Sequence, residues 1–408
     1  MHRAGASILG RLLSEPAAQT SPAPCACGHT ARHHDTRARQ LLTMLGPVEF
    51  RRGYFVCPRC HQGQSPRDRE LDVEATEFSP GVRRMMAAVG AESSFEQCRE
   101  QLELLAGLEV TAKAVERQAE AIGASIEADG QQEIHRAKQL ELPEVCAPVV
   151  PVFYIEMDGT GVPVTKQERE GRPGKTEGQP ARTREVKLGC VFTQTATDKE
   201  GWRSRDPDST SYVAAIEPAE QFGLRLYTEA WRRGWSKARK KVVLGDGAIW
   251  IWNLADQHFP GAVQIVDLYH ARQHVWELAA KLFVNDERAR RQWAAICQYL
   301  LDEGQTEALV LILRHLRPDN EKLAQDVDKD ADYFARNTER MRYPEFRAQG
   351  LFVGSGVVEA GCRTVVGKRM KCSGMFWSVR GANAILALRC CRLSGRFEDY
   401  WESRSRAA

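Results

Sequence analysis

Val152-Phe-Tyr-Ile-Glu-Met-Asp158 decides the architecture: a run of apolar, aromatic and β-branched residues, broken only by Glu156, meets an aspartate followed by Gly159. Such a run reads as a buried strand ending at an aspartate. The pattern recurs at Lys241-Val-Val-Leu-Gly-Asp246-Gly247 and at Ala262-Val-Gln-Ile-Val-Asp267-Leu-Tyr-His270. Between the first two lie a polar, glycine-rich hairpin loop (Lys166 to Thr183), a second strand around Glu185 to Thr193, and a strand remnant with a helix over 209–230. Residues 271–345 are helical in pattern, and Gly354-Ser355-Gly356 opens a last helix bearing Glu359. Strands interleaved with helices predict an α/β fold with a mixed sheet and an all-α insertion.

Asp158, Asp246 and Glu359 are 88 and 113 residues apart in sequence. Side-by-side strands bring such aspartates together, and a helix packed on the sheet supplies the third carboxylate. Three hard oxygen donors suit two Mg²⁺ ions about 3.5–4 Å apart, the arrangement that activates a water or 3′-hydroxyl against a phosphodiester. One Asp-Gly at a strand end is weak, because turns look the same. A glutamate early in a helix is also favoured by the macrodipole alone. Two Asp-Gly strand ends together with Gly-Ser-Gly-x-x-Glu are more specific.

Working outward to the N-terminus, Cys25-Ala-Cys27 and Cys57-Pro-Arg-Cys60 form two pairs. Brought together by a hairpin, they supply the four ligands of a tetrahedral zinc site. Because Cys25-x-Cys27 is one residue short of the usual pair, His29 or His61 is an alternative fourth ligand. Ser94 caps a helix carrying Phe95, Cys98, Leu102 and Leu105, Gly107 ends it, and Thr111 caps a second carrying Val115, Ala119 and Ile122. That spacing fits a helix-turn-helix and fits an ordinary helical hairpin equally well.

Local charge favours a nucleic-acid partner where net charge does not. The chain carries 57 Lys and Arg against 54 Asp and Glu, a net +3. Yet Ala360 to Phe397 holds eight basic residues and no acid, and Arg232 to Lys241 holds six and no acid. Unbalanced runs beside a carboxylate site suit a phosphate backbone. Within the first run, Met375-Phe376-Trp377 fits core packing or stacking on an unpaired base. With 43% apolar residues and ordinary Gly and Pro counts (32 and 18 of 408), the chain is neither collagenous nor wholly disordered. The longest weakly polar run, Val145 to Ile155, is 11 residues where a span needs about 20, and Arg11 interrupts the apolar start. The expectation is a soluble, intracellular protein whose remaining cysteines are small buried hydrophobes.

At Phe153 to Gly161, Val243 to Trp250, Asp267-Leu-Tyr-His270 and Gly354 to Ala360 the sequence resembles the blocks of ISKra-type bacterial insertion-sequence transposases, over residues 24 to 402. The resemblance implies a DDE DNA transposase with a ribonuclease-H-like core. It would cleave element ends and transfer 3′-OH ends into target DNA, with Mg²⁺ or Mn²⁺ on Asp158, Asp246 and Glu359 and Zn²⁺ on Cys25, Cys27, Cys57 and Cys60. It implies an accessory role for Asp267 and His270, although a structural hydrogen bond fits those two equally. DNA contacts fall to Arg363, Lys368, Arg369, Lys371 and Arg380, and a homodimer or higher oligomer on DNA is expected in the cytoplasm at the nucleoid. Two positions depart from the pattern: the short Cys-x-Cys pair, and Phe376 where a basic residue is expected. The expected organisation is a zinc module (1–78), a helix-turn-helix-like region and linker (79–150), the first part of the core (151–270), a helical insertion (271–350) and a C-terminal helix with basic tail (351–408). A non-catalytic DNA-binding regulator and a metal-dependent nuclease of the same fold are the alternatives.

Overall fold

The computed structural model describes residues 2–14, 22–143, 149–174, 181–196 and 203–407. The chain divides into two compact units, Met1–Glu127 with Ala387–Ala408, and Ala128–Leu386. Among the described residues no helix is long and apolar enough to cross a membrane.

The first unit begins with helix α1 (His2–Leu13) and an antiparallel sheet, β1 (Ala23–Pro24), β2 (Thr30–Thr43), β3 (Gly46–Val56) and β4 (Gly63–Gln64), in that order. β2 and β3 form a long ribbon, paired from Arg32↔Val56 to Thr43↔Gly46 with an irregularity between His33 and Asp35. Gly46, at φ +97, makes the tight turn a side chain would resist. Helix α2 (Pro66–Glu70) places buried Asp68 beneath the ribbon, where Arg39 and Arg52 both donate to it. Helices α3 (Pro80–Gly90), α4 (Phe95–Ala106) and α5 (Ala112–Lys138) follow.

Ser94 forms the expected capping box with Gln97, Gly107 ends α4 in the left-handed region at φ 64, and Thr111 Oγ1 accepts from Ala114 N at 3.1 Å. Val82, Met86, Cys98, Leu102 and Val115 share one core. Leu105, expected in that stripe, is instead 81% exposed. The chain reverses at Gly107, and Leu108, whose N–H bonds the Leu102 carbonyl at 3.1 Å, fills the core in its place.

In the second unit β5 (Val152–Pro163), β6 (Thr183–Gln194), β7 (Ser211–Ala215), β8 (Lys240–Gly245) and β9 (Val263–Val266) form one mixed sheet of order β7-β6-β5-β8-β9. β6 runs antiparallel to β5 and β7, whereas β5, β8 and β9 are parallel. Helices α6 (Ala219–Arg232) and α7 (Ile249–His258) cover one face. Their side chains come so close that a Cβ on Gly189 or Gly245 would lie 2.8 Å from Leu226 or Ile251. Helices α8 (Leu268–Leu282), α9 (Glu287–Asp302), α10 (Thr306–His315), α11 (Glu321–Asn337) and α12 (Tyr343–Ala348) fill the interval after β9. Then α13 (Gly356–Gly361) continues through a π-helical turn (Cys362–Gly367) and α14 (Lys368–Met370), and α15 (Val379–Leu393) follows. The last helix, α16 (Phe397–Ala407), returns to the first unit, where Arg404 bonds Asp72 at 2.6 Å.

Candidate acid cluster and cysteine centre

Strand alternation puts Tyr154, Glu156 and Asp158 on the face of β5 opposite Phe153, Ile155 and Met157. β5 and β8 pair in parallel as far as Met157↔Gly245, so Asp158 and Asp246 are the next residues on neighbouring strands, about 4.8 Å apart in the ladder direction. β8 and β9 pair as far as Gly245↔Val266, so Asp267 is next on the third. Three aspartates therefore line up across the end of the parallel strands. Asp158 itself does not end a strand: β5 continues to Pro163 because its antiparallel partner β6 is paired through Pro163↔Thr183. What ends at Asp158 is the parallel pairing.

The loop and helix that carry Glu359 lie on this same face. Phe352 N donates to Tyr154 Oη at 3.1 Å, Val358 N to Glu156 Oε2 at 2.8 Å, and Cys362 Sγ to Asp158 Oδ2 at 3.2 Å. Glu359 is exposed and lines a cleft of about 580 Å³ with Tyr269, Phe352, Gly354 and Gly356, while its Oε1 accepts from Ser355 Oγ at 3.3 Å. Burial raises the Asp158 pKa, and the charges of Asp246 and Glu359 raise it further, against the Cys362 thiol and the Gly159 N–H that stabilise the carboxylate. The three acids do not bring all their oxygens within 4.8 Å of one another, as a single-ion cage would. Three carboxylates are nonetheless donors of the kind that hard divalent cations take.

Asp267 and His270 take different places. Asp267 is fully buried, and its carboxylate accepts from His270 N at 2.7 Å and from Ser355 N. It caps α8 and ties the loop before α13 to the sheet. The His270 ring lies 5.0 Å from that of His274, whose Nδ1 is 2.8 Å from Asp330 Oδ1. His274 stacks on Tyr333 at 4.2 Å, and Tyr333 Oη donates to the Asp246 carbonyl at 3.0 Å. Gly247 (φ +94) is required here, since a Cβ would come within 2.5 Å of the Tyr333 ring.

The basic residues divide. Arg363, Lys368, Lys371 and Arg380 are exposed, and Lys371 Nζ donates to Thr160 Oγ1 at 2.5 Å on the extension of β5. Arg369 corrects the expectation of a DNA contact. It is only 1% exposed, its guanidinium sits over the Trp377 ring at 5.0 Å, and Nη1 reaches Met375 Sδ at 3.5 Å. Trp377 is likewise buried and donates to the Met370 carbonyl at 3.1 Å, whereas Phe376 is 61% exposed.

Sequence reasoning missed Glu156. It is wholly buried, its Oε1 has no hydrogen-bond partner among the described residues, and burial pushes its pKa up to about 8, with the Asp267 and Glu359 charges adding and the Val358 N–H opposing. The signal was there: a lone acid inside an apolar strand, two residues before Asp158. Cys362 and Tyr333 carried no comparable signal, because both reach the site only through tertiary packing.

In the first unit Cys25, Cys27, Cys57 and Cys60 bring their sulfurs within 4.8 Å of one another, the only such group of three or more among the described residues. The Cys25–Cys60, Cys25–Cys27 and Cys27–Cys57 sulfurs are 3.5, 3.5 and 3.6 Å apart, far beyond a disulfide and close to the edge of about 3.8 Å that a tetrahedron with 2.3 Å Zn–S bonds would have. N–H groups of Cys60 and Arg59 push the Cys57 thiol down to about 6. Soft thiolate donors in that geometry can hold a zinc ion, and Cys25 completes the four without His29 or His61.

No known family profile matches the chain. It is 22% identical over 386 residues, 90% of its own length and 75% of the relative's, to a protein of Streptococcus gallolyticus described as "UPF0236 protein in vanSb 3′ region". Among solved structures it is similar to the Drosophila P element transposase strand transfer complex, at 10% identity and a TM-score of 0.26, over 83% of this chain and 84% of that one.

Proposed function

We propose that the protein is a DDE-type DNA transposase that binds the ends of its element, cleaves phosphodiester bonds and joins 3′-OH ends to target DNA. What supports this reading is that Asp158 and Asp246 follow the paired Met157 and Gly245 on neighbouring strands of the β7-β6-β5-β8-β9 sheet, and that the segment bearing Glu359 is bonded to Glu156 and Asp158 on the same face of β5. That strand order, with its second strand antiparallel, is the reason for reading the core as ribonuclease-H-like. In this reading residues 151–270 and 351–386 supply the core around an insertion at 271–350, and the first unit supplies end binding with zinc on the four cysteines.

Two divalent cations, Mg²⁺ or Mn²⁺, would activate the attacking oxygen and stabilise the leaving one. The chain's own residues prepare that chemistry. Asp158 and Asp246 would present neighbouring carboxylates from β5 and the end of β8, and Glu359 a third from α13. Tyr333 holds the Asp246 turn from its backbone, and Glu156 and Asp267 fasten the two ends of the segment that delivers Glu359. Arg363, Lys368, Lys371 and Arg380 are available for phosphates.

One assay tests it: the full chain with labelled element ends, Mg²⁺ and supercoiled target. Joined product is the expected result. Cleavage without joining would make the protein a nuclease of this fold, and binding without cleavage a regulator, so either result overturns the transposase reading.

A further inference from the structure

The two parts of the first unit that the sequence offers for DNA contact carry opposite charge. From Pro22 to Leu71, the cysteine centre and ribbon, there are eight arginines and no lysine against four acids, a net of +4. From Phe95 to Glu127, the helical hairpin of α4 and the first part of α5, there are three basic residues against seven acids, a net of −4. Four thiolates and a zinc ion would lower the ribbon to about +2 and leave the contrast standing.

Pairing sharpens it. In the hairpin Arg99 is tied to Glu96 at 2.6 Å and Glu103 at 2.9 Å, and Lys113 to Glu116 at 2.7 Å, leaving Arg117 as the one basic side chain without a carboxylate partner among the described residues. In the Pro22–Leu71 segment Arg39 and Arg52 are spent on Asp68, and Arg37 on the ribbon and Arg67 and Arg69 on α2 have carboxylates too. Arg32, Arg51 and Arg59 remain, all exposed and without a carboxylate partner among the described residues. The Arg37 guanidinium also lies 3.4 Å over the Tyr54 ring, with the His34 ring edge-on to Tyr54 at 6.4 Å. Asp35 holds both Arg37 and His34, so the charge left for phosphates falls to Arg32, Arg51 and Arg59. Arg32, through its partner Val56, shares a face of the ribbon with Tyr54, whereas Arg51, five residues before Val56 on β3, points from the other face, so the free arginines bracket the ribbon rather than line one side of it.

We infer that the arginine-bearing β2–β3 ribbon, and not the α4–α5 hairpin, is the surface of the first unit that docks on duplex DNA. A major groove admits a two-stranded ribbon as readily as a helix. A ribbon with free arginines gains from released counterions, whereas a helix pair of net −4 is repelled by the phosphates it would have to approach. This rests on the proposal above that DNA is the substrate, and it reassigns which element meets it.

The test measures binding of the full chain to a labelled duplex of about three helical turns over a salt series. Three variants are compared: Arg32→Ala/Arg51→Ala/Arg59→Ala, the same three positions to Lys, and Lys113→Ala/Arg117→Ala. The ribbon alanine variant should bind at least about tenfold more weakly near 0.1 M salt, with a log–log slope shallower by about two to three. The lysine variant should keep the slope, which separates lost charge from lost fold, and the hairpin variant should stay within about twofold of wild type. An effect confined to the hairpin variant, or equal in both, overturns the inference. Wild-type protein that binds no duplex at low salt overturns it together with the transposase reading. Normal ribbon-dependent binding without cleavage or joining overturns that reading alone.

Discussion

The cysteine centre and the proposed acid site are assembled by different means. The cysteine set spans 36 residues, from Cys25 to Cys60, and one hairpin closes it until its sulfurs stand 3.5–3.6 Å apart. The acid set spans 202 residues, comes from two strands and a helix, and is held by bonds from neighbours such as Val358 N to Glu156 and Tyr333 Oη to the Asp246 carbonyl. A local set can be tight because little else must fold to make it. A dispersed set of like charges needs a framework that resists their repulsion, and that framework, more than the acids, is what the second unit builds.

The largest expected effect falls on the acids. Asp246→Asn keeps the size of the side chain and an acceptor for Ala248 N, bonded now at 2.9 Å, but removes one charge from the cluster. Nicking and strand transfer should fall by about 10³-fold or more, some 4 kcal/mol of transition-state stabilisation, while DNA binding survives. Wild-type joining by this variant would end the DDE assignment. Next is Cys57→Ser, or a zinc-selective chelator with Mg²⁺ in excess. Either should unfold the ribbon, seen as lost protection of β2–β3 amides in hydrogen exchange, and leave the second unit's melting unchanged. If exchange in β2–β3 were unaltered, the cysteines would be a thiol cluster without a structural ion.

Glu156 offers a smaller, sharper test of the framework. Glu156→Ala strands the Val358 N–H in a buried site and opens space beside it, a cost of about 1–3 kcal/mol from the lost acceptor alone. Glu156→Gln keeps an acceptor and should recover most of that stability and of the joining rate. Equal loss in both variants would mean that Glu156 acts by its charge rather than by holding α13.

These contrasts follow what a sequence can show. Ser94, Gly107 and Thr111 were legible because caps are written within three or four residues of where they act. The cysteine pairs were legible for the same reason. Asp246 and Asp158 could be singled out by an Asp-Gly after an apolar run, although β5 runs on past Asp158 to Pro163, but their equal register across β5 and β8 could not, since no local rule aligns strands 88 residues apart. Arg369 misled because a basic run reads as a solvated face. Only the fold shows that Trp377 and Met375 close over that one member. Glu156 hid in plain view, its lone acid masked by the apolar pattern that makes β5 a strand.

The smallest effect concerns how the last helix is fastened to the first unit. Asp72 accepts from Arg404 on α16 at 2.6 and 2.9 Å and from Arg83 on α3 at 2.6 Å. Burial alone would raise its pKa, yet the Arg404 hydrogen bond and the Arg83 charge outweigh this and hold it below the usual carboxylate value of 3.8. With a depressed folded-state pKa, the stabilisation is complete above the unfolded value near 3.8 and is lost as pH falls through the lower folded-state value. Because Asp72 is partly exposed, solvent screening limits it to about 1 kcal/mol or less. Asp72→Asn should therefore melt slightly below wild type at pH 7, and the gap should close as both are acidified below about pH 3.8. Both guanidiniums lose their carboxylate together, so the loss should appear in α3 and α16 alike. Hydrogen exchange that changed in α16 alone would show that Arg83 does not share the carboxylate in solution, and that α16 is held by the Arg404 bond by itself.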